Sequence, residues 1–318
     1  MRRTDWFRLA LTATLLAWLV YYLDWEDMFS QLGKVSMGLF LLALLINALA
    51  TVFARALLVW SLVEKSSRPT IPQVVSVFLS LRFFSTVLPR AIVVGLRIKR
   101  LNELFGKNLT FAIGLMSYEA LTGALIMSLG ATAFYLLQAE SITRTPAGVY
   151  VFLAAAVLIT LFLLLFTRQM DFILRWTMTL PIFGAATREK LNSRLVQWRT
   201  WVGQNIARNY STLFTTLGFA LVFYLGFILS GYILFLAMGE NLAFAEIAWA
   251  RSAVWLLAAL PISIGGLGVR EAGLAYLLAD FGVDFELAVA YGLLSFILQT
   301  SIGLFGAIVE LKNAAPGK

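Results

Sequence analysis

The chain contains neither cysteine nor histidine. The first absence excludes disulfides and thiolate nucleophiles, the second excludes imidazole bases, and together they remove nearly all zinc chemistry. Charge is scarce too: 13% of the 318 residues are charged. The six aspartates, Asp5, Asp24, Asp27, Asp171, Asp280 and Asp284, are scattered and form no metal-binding cluster. No Walker loop, HExxH motif or GxSxG elbow is present, so acid-base work would fall on a few Glu, Lys or Tyr residues. A membrane-embedded enzyme is therefore the weaker expectation, and no cofactor or metal is expected.

What the chain has in abundance is apolar sequence. Hydrophobic residues make up 60% of it and mean hydropathy is +0.85, far from an average soluble domain. The composition predicts an all-α polytopic membrane protein, read as one transmembrane domain over residues 1 to 318. At about 20 residues per crossing, clean spans are expected at 6 to 23, 36 to 63, 109 to 138, 147 to 166, 211 to 237 and 286 to 310. The first begins like a signal peptide but ends in bulky aromatics (LVYYLDW) rather than a small-residue cleavage site, and reads as a retained helix. Two further apolar stretches, 71 to 96 and 244 to 280, carry charges and helix breakers in their middles.

The formal net charge of +8 matters less than its distribution. If only the six clean spans cross and the N-terminus is inside, the basic loops from Lys65 to Arg68, Lys99 to Lys107 and Arg168 to Arg208 are cytoplasmic, as is the tail with Lys312 and Lys318. The outer loops keep Lys34 and Arg144 beside the acidic DWED at 24 to 27 and Glu140. The positive-inside rule then places both termini on the cytoplasmic side of the cytoplasmic (inner) membrane, with no nucleic-acid partner implied. This count makes 71 to 96 and 244 to 280 re-entrant hairpins of opposite orientation; two short crossings in each is the alternative. Within 168 to 209, Leu191, Leu195, Trp198, Val202 and Ile206 recur at helical spacing among basic residues, the pattern of an amphipathic cytoplasmic connector on the inner leaflet.

The two broken stretches resemble each other. LPRAIVVGLRIKRL (88 to 101) and LPISIGGLGVREAGL (260 to 274) each run Leu-Pro, a short apolar stretch, Gly-Leu, then Arg97 or Arg270, and each has an upstream arginine, Arg82 or Arg251. With opposite orientations, this suggests an inverted repeat around discontinuous helices. Gly265, Gly266 and Gly268 would let backbone amides approach a ligand, while a helix restarting near Val269 would aim its positive end there. A hairpin tip packed on a neighbouring helix is the competing reading.

Charges inside apolar helices are costly and normally face a cavity, pair, or reach for an interface. Arg90, Arg97 and Arg270, beside the breaks, are candidates for holding a lipid phosphate, with Arg82 and Arg251 in secondary positions. Glu119 and Glu271 are candidate counter-charges or proton carriers, against a purely structural Arg–Glu pairing. Arg55, about two turns from the cytoplasmic end of its span, is a further charge of this kind, with interfacial snorkelling the competing reading for it and for Arg97 alike.

At LPISIGGLGVREAGL and VLPRAIVVGLRIKRL, and in the order of spans around them, nearly the whole chain resembles the lysylphosphatidylglycerol synthase transmembrane-region family. The first motif departs from the family's more polar pattern, since residues 91 to 93 are apolar. The resemblance implies the flippase-like membrane half of the bacterial multiple peptide resistance factor, and stand-alone relatives associated with polyprenyl-linked sugars; it does not extend to the separate aminoacyl-transfer domain. The expectation is therefore a non-enzymatic flippase for an anionic or aminoacylated phospholipid or a polyprenyl-phosphate carrier. Its partners would be those lipids, with a homodimer or an envelope-synthesis enzyme as further candidates. An accessory or scaffold subunit is the alternative.

Overall fold

The computed structural model describes residues 23–63, 68–88, 90–107, 109–138, 210–259 and 268–314, with isolated positions at 14, 21, 157, 193 and 196. Nearly all of the spans expected at 6 to 23 and 147 to 166, the connector at 168 to 209, and the 260 to 267 part of the second motif lie outside the described residues. What is described is helical, with no strand among the described residues.

α1 (Trp25–Gly33) starts where the Asp24 carboxylate accepts the backbone N–H groups of Glu26 (3.0 Å) and Asp27 (3.2 Å), satisfying donors that a first turn leaves open. α2 (Met37–Ser61) follows. It is α-helical except at Leu49–Ala54, which widens into a π-helical segment. α3 (Ile71–Val87) is capped by Gln73, whose side-chain oxygen accepts the Thr70 N–H at 2.9 Å. It ends because Leu88 is extended, with φ −108° and ψ 149°, the conformation forced on a residue before proline. α4 (Arg90–Phe105), α5 (Leu109–Leu137), α6 (Tyr210–Ala237), α7 (Phe244–Ala259), α8 (Val269–Leu278) and α9 (Phe285–Ala314) complete the described helices.

Four of these are long and apolar enough to cross a membrane: Met37–Ser61, Leu109–Leu137, Ser211–Ala237 and Phe285–Lys312. They coincide with four of the expected spans. α3, α4, α7 and α8 are shorter, with 17, 16, 16 and 10 residues. At 1.5 Å per residue the longest of them reaches about 26 Å, short of a hydrocarbon core of about 30 Å.

The outward faces are apolar. Leu41, Leu45 and Leu49, one turn apart on α2, are about half exposed, as suits contact with lipid tails. Polar groups turn inward instead: Asn47, Glu119, Thr122, Ser230, Arg251 and Ser252 are all buried. The inner packing is led by the fully buried Trp249, Tyr118, Tyr291 and Phe235.

The helices follow one order, long, short, short, long, in each of two halves, α2 to α5 and α6 to α9. α3 packs along α9 and α7 along α5, while α2 packs along α6; α3 with α4 matches α7 with α8, and α4 with α5 matches α8 with α9. Exchanging the two halves maps each of these contacts onto another. Small residues permit the closest approaches: a Cβ at Gly226 of α6 would lie 2.7 Å from that of Ala50 on α2, and one at Gly306 of α9 would lie 2.0 Å from the Leu79 carbonyl oxygen on α3.

Candidate functional site

The wide turn in α2 shapes one wall of the molecule's interior. A π-helical turn holds more residues than an α-helical one, so positions four apart, which would drift around a regular helix, stay on one line. Asn47, Thr51 and Arg55 have that spacing and all line the same cavity. Asn47 is fixed from behind, donating to the Ser230 hydroxyl of α6 at 3.0 Å, while the Thr51 hydroxyl donates to the Asn47 carbonyl at 2.8 Å.

This cavity has a volume of about 210 Å³. Four arginines line it from four helices: Arg55 (α2), Arg82 (α3), Arg251 (α7) and Arg270 (α8). A second cavity of about 120 Å³ shares Thr51, Arg55 and Arg82 with the first and adds Arg97 of α4. Five guanidinium groups therefore line two adjoining spaces among apolar helices.

Each arginine is held differently. Glu119, 5% exposed on α5, accepts the Arg55 Nε at 2.6 Å and also pairs with Arg97. Arg270 pairs with Glu271, its Nε donating at 2.8 Å. The other oxygen of Glu271 accepts the Gly268 N–H at 2.9 Å, and Gly268 turns the chain into α8 with φ +77°, a conformation that favours glycine. Arg82 donates to the Gln299 side chain at 3.1 Å. Arg251 donates to the Tyr291 hydroxyl and lies over the Phe227 ring, 4.2 Å from its centroid. Neither Arg82 nor Arg251 has a carboxylate partner among the described residues. The Nε groups of Arg82, Arg97 and Arg251 are buried and have no hydrogen-bond partner among the described residues.

Such groups are expensive to bury, and arginine cannot lose its proton to escape the cost. The arrangement suits a bound anion with several acceptor oxygens. Residues 6–306 match the family described as the lysylphosphatidylglycerol synthase TM region. The chain belongs to that family. As a member of the lysylphosphatidylglycerol synthase TM-region family with four apolar helices of spanning length, it is a membrane protein linked to lipid handling. No curated protein and no solved structure matches the chain.

Of the site residues expected from sequence, Arg82, Arg97, Arg251 and Arg270 line these two cavities, with Glu119 and Glu271 bound to the arginines. Gly265 and Gly266 lie outside the described residues, as does the side chain of Arg90, whose backbone opens α4. Gly268 is buried and its amide is taken by Glu271. A ligand anion would displace Glu271 to use that amide. Arg55, for which snorkelling to the interface was the competing reading, meets Glu119 inside the protein and lines both cavities. Asn47, Thr51 and Gln299 were missed; each is a polar residue in a spanning run, the one signal the sequence carried for them.

Proposed function

We propose that the protein carries the phosphate head group of an anionic lipid between the leaflets of the cytoplasmic membrane, the acyl or prenyl chains staying in the bilayer. The observation that supports it most is the sharing of Arg55 and Arg82 between adjoining cavities, which gives a phosphate successive guanidinium partners from Arg270 and Arg251 through Arg82 and Arg55 to Arg97. In this reading α3 with α4 and α7 with α8 are re-entrant hairpins entering from opposite faces, and the exchange of contacts between the halves reflects an inverted repeat. Both termini face the cytoplasm. The protein itself performs no covalent step.

The test is leaflet exchange of fluorescent phosphatidylglycerol and phosphatidic acid in proteoliposomes, comparing the full chain with Arg82→Ala and Arg270→Ala. Exchange that falls at least about tenfold in variants of unchanged unfolding temperature supports carriage by these side chains. Exchange equal in protein-free vesicles and wild type sinks the reading and favours an accessory role. Single cysteines introduced at residues 92 and 257 test the topology against a cysteine-free background. Residue 92 is expected to label from the cytoplasmic side, and labelling from outside alone would reverse the first hairpin.

A further inference from the structure

Building on that reading, we propose that the site selects a terminal phosphate carrying two negative charges, a lipid phosphomonoester or diphosphate, over singly charged phosphodiester and amine-bearing head groups. The argument begins with charge. Five arginines line the two cavities, and the carboxylates bound to them are Glu119 and Glu271. Among the described residues, three guanidinium charges are left unmatched. A dianion compensates two of them and a phosphodiester one, and between apolar helices that difference is screened less than among fully exposed charges.

Hydrogen bonding gives the same preference independently. Arg82, Arg97 and Arg251 reach the two cavities from three helices. A terminal phosphate presents three non-bridging oxygens to them, whereas a diester presents two, and guanidinium forks match such oxygens in pairs.

The described residues offer an amine few partners, Trp255 being the aromatic ring on the wall of the larger cavity with no guanidinium group over it. An ammonium group needs a carboxylate or an open aromatic face. Both Glu119 oxygens are bound by arginine, and those of Glu271 hold Arg270 and the Gly268 N–H. The Phe223 and Phe227 rings on the cavity wall already carry the guanidinium groups of Arg55, at 5.6 Å, and Arg251, at 4.2 Å. A lysyl or other aminoacyl head group would add positive charge to an existing excess. Val254, Ala258 and Leu274 add apolar surface to the wall of the larger cavity. They suit the hydrocarbon end of a lipid phosphate better than a free, fully hydrated one.

The experiment is a binding titration on the purified full chain in mild detergent, read by native mass spectrometry and thermal unfolding. The probes are short-chain phosphatidic acid, phosphatidylglycerol, lysyl-phosphatidylglycerol and inorganic phosphate. Phosphatidic acid binding about tenfold or more tightly than phosphatidylglycerol, with the lysyl lipid weaker still and inorganic phosphate weakest, supports the proposal. Arg82→Gln and Arg251→Gln should then bring phosphatidic acid to within about twofold of phosphatidylglycerol. Phosphatidylglycerol or its lysyl ester binding as tightly as phosphatidic acid overturns the selectivity while leaving lipid carriage standing. Inorganic phosphate binding as tightly overturns the lipid source, and failure of every probe overturns both readings. The wild-type panel decides the matter even if an arginine variant does not fold.

Discussion

Gly231 leaves the space that the Arg251 side chain fills: a Cβ at Gly231 would stand 2.4 Å from both Cδ and Nε of Arg251. A helical glycine here is the condition for an arginine lying flat between α6 and α7. Gly231→Ala must push that guanidinium aside, and because the clash is with the far end of a flexible chain, the helices themselves need not move. Lipid exchange is expected to fall about tenfold, the loss of one or two charge-assisted hydrogen bonds, with the unfolding temperature within a few degrees of wild type. Exchange rates and thermal unfolding measured on the same preparation check this. Unaltered exchange would remove Arg251 from the head-group path.

Glu119 ties three helices together, receiving Arg55 from α2 and Arg97 from α4 while standing on α5. Removing one partner of a buried ion pair leaves charge without compensation, at a typical cost of about 3 to 5 kcal/mol. Glu119→Gln is expected near that range. Arg97→Gln should cost less, and Arg55→Gln least, because Arg55 is 32% exposed in its side chain against 19% for Arg97 and water screens it better. Denaturation curves for the three variants test the order. A smaller loss for Glu119→Gln than for Arg55→Gln would contradict it.

The spans were legible because an apolar run of 25 to 29 residues matches the length of a bilayer crossing and far exceeds what a soluble core helix buries. The break after α3 was legible because Pro89 dictates the conformation of Leu88. The arginines were legible as anomalies, but their partners were not. Arg55 and Glu119 are 64 positions apart, and nothing in either neighbourhood tells which face of α2 meets α5. The π-helical turn that lines up Asn47, Thr51 and Arg55 leaves no residue signature in LATVFA. The start of α8 could have been read more fully: an acid at the third helical position is the half of a capping box that reaches back to the preceding amide. Gly268 followed by Val-Arg-Glu271 therefore announced that the Gly268 N–H already had a partner.

Gly306 and Gly218 provide a paired test of the packing between the halves. A methyl group at Gly306 would sit 2.0 Å from the Leu79 carbonyl oxygen, which is backbone and cannot step aside, whereas nothing lies within 4 Å of one at Gly218. Gly306→Ala is expected to force α9 away from α3 and to destabilise by about 1 to 3 kcal/mol. At Gly218 the same change should stabilise slightly, by up to about 1 kcal/mol, since alanine loses less backbone freedom in a helix. Equal effects in unfolding titrations would mean that α3 and α9 are not in close contact.

The selectivity for a dianionic phosphate carries its own pH dependence. A phosphomonoester drops from two negative charges to one as pH falls through about 6, while a diester keeps its single charge. Among the described residues, the polar groups lining the cavities are Asn47, Thr51 and Arg55 from α2, Arg82 and Ser85 from α3, Arg97 from α4, Arg251 from α7, Arg270 from α8, and Ser295 and Gln299 from α9. The arginines stay protonated throughout, and the hydroxyls and amides do not titrate in this range. Behind them stand Glu119, Glu271 and Tyr291, each bound to an arginine. The ligand's own titration sets the sign: the advantage of phosphatidic acid over phosphatidylglycerol is full above the phosphate's second ionisation and shrinks as pH falls below it. Titrations at about pH 7.5 and about pH 5 should show the affinity ratio dropping from about tenfold toward unity. A ratio that does not change, or that grows in acid, would mean the preference comes from the size of the head group rather than from its charge.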